Sequence, residues 1–171
     1  PSASASTEPP YRQSGLSWVR RSDGRGLLVV QHQGPWADKL NSVFDLADPA
    51  LKGKLGITNS TNGSYIAGVT VYMLAAGKEK TRQWLEGMKA NVGGKVFNKH
   101  SKIVKAVASG KLQAGLVNHY YIYRHLDKHP DAPIKIVMPD QGKDGMGIAW
   151  NVAGIAITKD TDKAVLAEKL I

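Results

Sequence analysis

Cysteine is absent from the chain's 171 residues, which excludes disulfides, thiolate metal sites and thiol nucleophiles. The compartment stays open, because exported proteins also manage without cysteine. No window reaches the roughly eighteen uninterrupted apolar residues of a membrane span. The start carries no secretory signal, so export would need one outside this sequence. Acidic residues are scarce, 14 against 23 Lys and Arg, for a formal net charge of +9. Such an excess is the footprint of phosphate binding. Here, however, the longest basic run is Arg20-Arg21, and Lys78, Lys80, Arg82 and Lys89 are interleaved with Glu79 and Glu86. That is a solvated helix face, and no nucleic-acid partner is expected. Catalytic signatures are missing too: there is no Gly-x-Ser-x-Gly elbow, phosphate-loop lysine motif or His-Glu-x-x-His. Paired acids such as Asp45 with Asp48 fall in surface-like stretches, so an enzyme is not expected.

What is present is a globular pattern, 42% apolar, long enough to bury a real core. "PSASASTEPP" has no large apolar residue, so residues 1–12 are expected to be a disordered linker or tail and residues 13–171 one α/β ligand-binding lobe. "GLLVVQH" (26–32) and "KLGIT" (54–58) read as strands, followed by a helix from Ser64 to Ala76. Gly77 separates it from a second helix, "EKTRQWLEGMKAN", whose Thr81, Trp84, Leu85 and Met88 recur at helical spacing on one apolar face. "SKIVKAVASG" reads as a helix closed by Gly110, "LQAGLVN" as a buried strand, "HYYIYRHLDKH" as a helix ended by Pro130, and "IKIVM" as a strand. After the loop "DQGKDGMG" come the strand "IAWNVAGIAIT" and a helix opened by Asp160 or Thr161. Strands alternating with helices predict an α/β fold with a mostly parallel sheet flanked by helices. Its core should include Trp84, Leu85, Met88, Val104, Val107, Leu116, Val117, Ile136 and Ile155.

In such sheets ligands sit beyond the carboxyl ends of the strands. Two loops have that placement, "NSTNGS" after "LGIT" and "NHYY" after "LQAGLV", and they form one composite site if their strands are parallel neighbours. Asn62, Gly63 and Ser64 open a helix whose first N–H groups and dipole attract an anion. Simple N-capping by Asn62 or Ser64 is the plainer explanation of the same residues. Tyr120 and Tyr121 carry more information. Adjacent helical residues point about 100° apart and cannot both enter one core face, whereas at a helix start both rings can reach a cleft. A phenol has a pKa near 10, so it becomes an anionic ligand at neutral pH only when a strong cation displaces its proton. Hard oxygen donors suit a hard, highly charged ion, Fe(III) above all. Packing of the two rings on a neighbouring lobe or strand competes with that reading. His119 and His125 stand close enough for ligand or supporting roles, with surface or capping roles as the alternative. His32 and His129 have no assigned part.

From Ser42 onward the chain resembles the ferric-iron-binding proteins of bacterial ABC importers, the transferrin-like members of the periplasmic solute-binding superfamily. The resemblance rests on "SVFDLADPALKGKLGI", "TNGSY", "GKEKTRQWLEGMKAN", "IVKAVASGKLQAGLVNHYY" and "NVAGIAI", in the family's order and spacing. It implies one lobe of a type II periplasmic-binding-protein fold that captures Fe(III) with a synergistic anion. Tyr120 and Tyr121 match the family's tyrosine ligands, and Tyr65 stands where some members carry a third. Asn62, Gly63 and Ser64 resemble its anion-holding turn, Asn118 a phosphate-binding asparagine, and His100 falls near a second such polar position. The anion, phosphate, carbonate or citrate, is not specified. The resemblance further implies an ABC transporter permease as partner and a periplasmic or extracellular location, with lipid anchoring of the full-length protein left open. Family members are nearly twice this length, so the opposite lobe is largely absent, and "YRQSGLSWVRRSDGRGLLVV" and "NVAGIAI" resemble the two strands that cross between lobes. An alternative on the same scaffold binds an anion or sugar phosphate without metal.

Overall fold

The computed structural model describes residues 16–92, 96–158 and 160–170, so the expected tail, residues 1–12, lies outside the described residues. Contacts divide the chain into two units, one of Pro1–Asp23 with Val152–Ile171 and one of Gly24–Asn151. The strands are β1 (Leu16–Gln31), β2 (Leu55–Gly56), β3 (Ala114–Asn118), β4 (Ile134–Val137) and β5 (Trp150–Thr158). The helices are α1 (Gly63–Ala76), α2 (Lys78–Val92), α3 (His100–Ala108), α4 (His119–Leu126) and α5 (Ala164–Leu170). The sheet runs β2-β3-β1-β4, with β5 also paired to β1. β2 and β3 are parallel neighbours, and β1 is antiparallel to both β3 and β4. Three strands therefore share one direction, and the long β1 runs against them in their midst.

The larger unit holds the core on both faces of this sheet. Side chains alternate across a strand, and β1 shows it: Leu28 and Val30 join one cluster with Trp84, Met88 and Leu55, while Val29 joins a second with Ile103, Val104, Val107, Val117 and Ile122. Each fully buried Leu, Ile or Val contributes roughly 1.5–3 kcal/mol. Helices thus cover both faces, α1 and α2 on one side and α3 and α4 on the other. Of the expected core, Trp84, Met88, Val104, Val107 and Val117 are buried, whereas Leu85, Leu116 and Ile136 are half-buried. The Ile155 side chain lies outside the described residues.

Local chemistry fixes the element ends. Ser42 and Asp45 form a capping box on the 3-10 turn Val43–Ala47, against which α2 packs, and Trp84 Nε1–H donates to Val43 O at 2.8 Å. Gly77 closes α1 at φ 90°, a left-handed position that glycine adopts without strain. α4 ends at Leu126 with Asp127 as its cap, earlier than the run to Pro130 suggests. Backbone bonds from Asp127 N–H to Tyr123 O and from His129 N–H to His125 O carry the turn on to the residue before Pro130, which the proline pushes away from helical geometry. In the smaller unit, Thr161 Oγ1 accepts from Lys163 N–H just before α5 begins.

Candidate metal and anion site

Because β2 and β3 are parallel neighbours, the turns that follow them open at one edge of the sheet. The first turn starts α1. Asn62 Oδ1 accepts the Tyr65 N–H at 3.1 Å, so Asn62 is an N-cap in the ordinary sense. Gly63 faces open space: a Cβ built there meets nothing within 4 Å. The second turn starts α4, where Asn118, 5% exposed, donates from Nδ2 to Ser64 Oγ at 3.2 Å and to Tyr120 Oη at 3.0 Å. One buried amide therefore ties the two turns together across 54 positions of sequence.

The tyrosine rings stand side by side, their centroids 4.5 Å apart. Tyr120 is exposed and Tyr121 half-buried. Tyr121 packs against the second core cluster. Tyr121 is stacked on His100 at 5.1 Å and 18°. Its phenol is raised above the usual value by burial and by the neighbouring Tyr120, with Arg124 acting the other way. Tyr65 is half-buried and packed against the first core cluster, and burial raises its phenol too. Burial therefore keeps Tyr121 and Tyr65 protonated at neutral pH.

A cavity of about 30 Å³ lies between these elements, lined by Ser64, Tyr65, His100 and Asn118 over an apolar floor that includes Tyr72 and Trp84. Such a space has room for about one water or part of a small guest. His100, which the resemblance set near a polar position of the anion site, lines this cavity. It is 6% exposed, and both ring nitrogens are buried without a hydrogen-bond partner. Burial lowers its pKa, so it sits as a neutral imidazole with one donor and one acceptor unmet. An orphaned buried polar group costs about 1–3 kcal/mol, so a guest that supplied a partner would recover that cost. Apart from the resemblance, the sequence signal for it was a histidine directly ahead of the apolar run of α3.

His119 borders this cluster, whereas His125 stands apart from it. His119 packs edge-on against Tyr120 and Tyr123, and His125 pairs with His129 instead. Among the described residues no three His, Asp or Glu side chains gather as a metal cage. The oxygen donors available at this edge are phenols, a hydroxyl and amides, a set that suits a hard cation together with an oxyanion.

Residues 29–171 match the family of bacterial extracellular solute-binding proteins. The Iron uptake protein A1 of Synechocystis sp. is 29% identical over 168 residues, 90% of this chain and 46% of that protein. The Fe(3+)-binding periplasmic protein of Serratia marcescens is 30% identical over 119 residues, 68% of this chain and 34% of that one. Among solved structures, the apo ferric ion-binding protein A of Pasteurella haemolytica superposes with a TM-score of 0.74 at 26% identity, covering 95% of this chain and 52% of that one. The chain thus spans about half the length, or less, of the relatives it matches.

Proposed function

The chain belongs to the bacterial extracellular solute-binding protein family and resembles its ferric-iron-binding periplasmic members, and from that premise we propose that it is a lobe that captures Fe(III) for an ABC importer. Tyr120, Tyr121 and Tyr65 supply phenolate oxygens, and a synergistic anion rests over the start of α1 against Asn62, Gly63, Ser64 and Asn118. The observation that carries this reading is the paired phenols at the head of α4, held by Asn118 to the α1 turn. Its work is binding, without catalysis, at a periplasmic or extracellular location, with an ABC permease as the partner that receives the iron.

Each residue has a physical part. Burial keeps the Tyr65 and Tyr121 phenols neutral until a strong cation arrives, which guards the site against weaker ions. Asn118 Nδ2–H already points at Tyr120 Oη, and a hydrogen bond to an oxygen that becomes anionic strengthens as the proton leaves. The first-turn N–H groups of α1 and its dipole favour the anion, and His100 stands ready to give it one more contact. Phosphate, carbonate and citrate all fit this description.

The test is a titration with ferric nitrilotriacetate, read from the visible tyrosinate charge-transfer band. Either Tyr120→Phe or Tyr121→Phe should abolish the colour, whereas Tyr123→Phe should leave it. Colour surviving in the double Tyr120→Phe, Tyr121→Phe variant would falsify the ligand set. Anion or sugar-phosphate binding at full strength in chelator-treated protein, with no colour on adding iron, would favour the metal-free alternative.

A further inference from the structure

The helical path of α4 does not stop where its tyrosines end. Asp127 keeps α-helical backbone angles, and the His129 N–H donates to His125 O at 2.9 Å. His125 and His129 are therefore successive-turn neighbours on one face. Their imidazole rings lie 4.8 Å apart, centroid to centroid, tilted by 45°. Neither ring takes part in the tyrosine cluster.

We propose that His125 and His129 form a two-imidazole chelate for a borderline divalent transition-metal ion, Zn(II), Ni(II) or Cu(II), distinct from the tyrosine site. The spacing is the main argument. With metal–nitrogen bonds of about 2.0–2.1 Å and ring centroids about 1.1 Å behind each nitrogen, two imidazoles at square or tetrahedral angles stand roughly 4.5–5.2 Å apart. The observed 4.8 Å falls inside that range, the separation at which one nitrogen of each ring can share an ion. The i, i+4 placement on a helical backbone is the same one that lets paired histidines grip zinc elsewhere.

Protonation does not stand in the way at His125, which is held below the usual histidine pKa by burial, by His129 and by Lys105. A ligand that is already neutral binds metal without first releasing a proton. Lys105 of α3 opposes a cation here and sets a limit on affinity. Exposure of His129 leaves the remaining coordination positions to water, so the chelate is reversible. Selectivity runs opposite to that of the phenols: imidazole prefers Cu(II), Ni(II) and Zn(II), in the general order of divalent affinities, over hard trivalent iron.

The untagged 171-residue chain, stripped with a chelator, is titrated with zinc sulfate by calorimetry near neutral pH, and with nickel chloride as a second probe. One site per chain is expected. His125→Ala and His129→Ala should each weaken it by at least about tenfold, since each removes half of the protein's donors. The Tyr120→Phe, Tyr121→Phe double variant should bind zinc as the parent does, and Lys105→Gln should bind it more tightly. Because His129 is exposed, its variant keeps the test valid if His125→Ala misfolds, which circular dichroism would reveal. Zinc affinity unchanged in both histidine variants, or no binding by the parent chain, overturns the proposal.

Discussion

At Gly63 nothing in the fold demands glycine: φ is not in the left-handed range, and an added Cβ meets no neighbour. Gly63→Ala should therefore leave stability unchanged or raise it by up to about 1 kcal/mol, as alanine does in a helix. The new methyl would stand in the space where the proposed anion rests. Phosphate affinity of the iron-loaded chain should fall while the melting temperature holds; equal affinity would remove Gly63 from the site. His100 makes a prediction of another kind. Its pKa is lowered by burial, so the unfolded chain takes up a proton more readily than the folded one. Its contribution to stability is complete above the ordinary histidine value of about 6.5 and is lost as pH falls through that value toward the depressed one. His100→Asn should flatten the acid side of the stability curve, measured by urea unfolding between about pH 7.5 and 5. Some slope will remain from His125, which is shifted in the same direction. The tyrosine pair was legible in sequence because its members are adjacent. His100 was set only near the site, by resemblance, because its stacking on Tyr121 joins two helices across a run of intervening residues.

At the scale of elements, the site depends on how closely α3 approaches the sheet. A Cβ at Gly56 would come within 2.8 Å of Ile103 Cγ2 and Leu112 Cδ1, both buried. Gly115, on the adjacent β3, faces the same Ile103. Gly56→Ala should cost about 1–3 kcal/mol through overpacking, a loss visible in the denaturant midpoint. Because α3 carries His100 and β3 leads into Asn118, the same variant should also weaken iron binding, though it touches no ligand. The α1 start gives a milder case. Asn62→Ala removes the cap on the Tyr65 N–H and should cost about 0.5–2 kcal/mol, with Asn62→Asp restoring stability. An Asp there would also set a negative charge beside the anion, so stability and anion affinity should part company. Helix and strand identity followed from the period of apolar residues. Their ends followed less well: α4 stops at Leu126, short of Pro130, and β2 shortens to two residues.

At the scale of the whole chain, the prediction is weak, reversible capture of Fe(III) when these 171 residues are tested by themselves. The proposed site supplies three phenols, Tyr65, Tyr120 and Tyr121, and in that experiment the other iron positions are open to water or chelator. A phenol binds iron as phenolate only by giving up a proton, which burial makes harder at Tyr65 and Tyr121, and affinity should fall steeply as pH drops. Ferric nitrilotriacetate titrations at several pH values will show it; pH-independent binding would sink the phenolate assignment. What the sequence determined by itself was local: which segments are helix or strand, which loops follow strands, and the chemistry of the Tyr120-Tyr121 pair. These are set by side-chain period and adjacency, which act within a few residues. Only the tertiary structure decided that β1 runs antiparallel between β3 and β4, and that pairing β2 beside β3 brings Ser64 to Asn118. It alone also decided that the ring nitrogens of His100 are buried without partners beside Tyr121. Strand order and helix approach are settled by which apolar faces can be buried together, a competition among distant segments that no local pattern encodes.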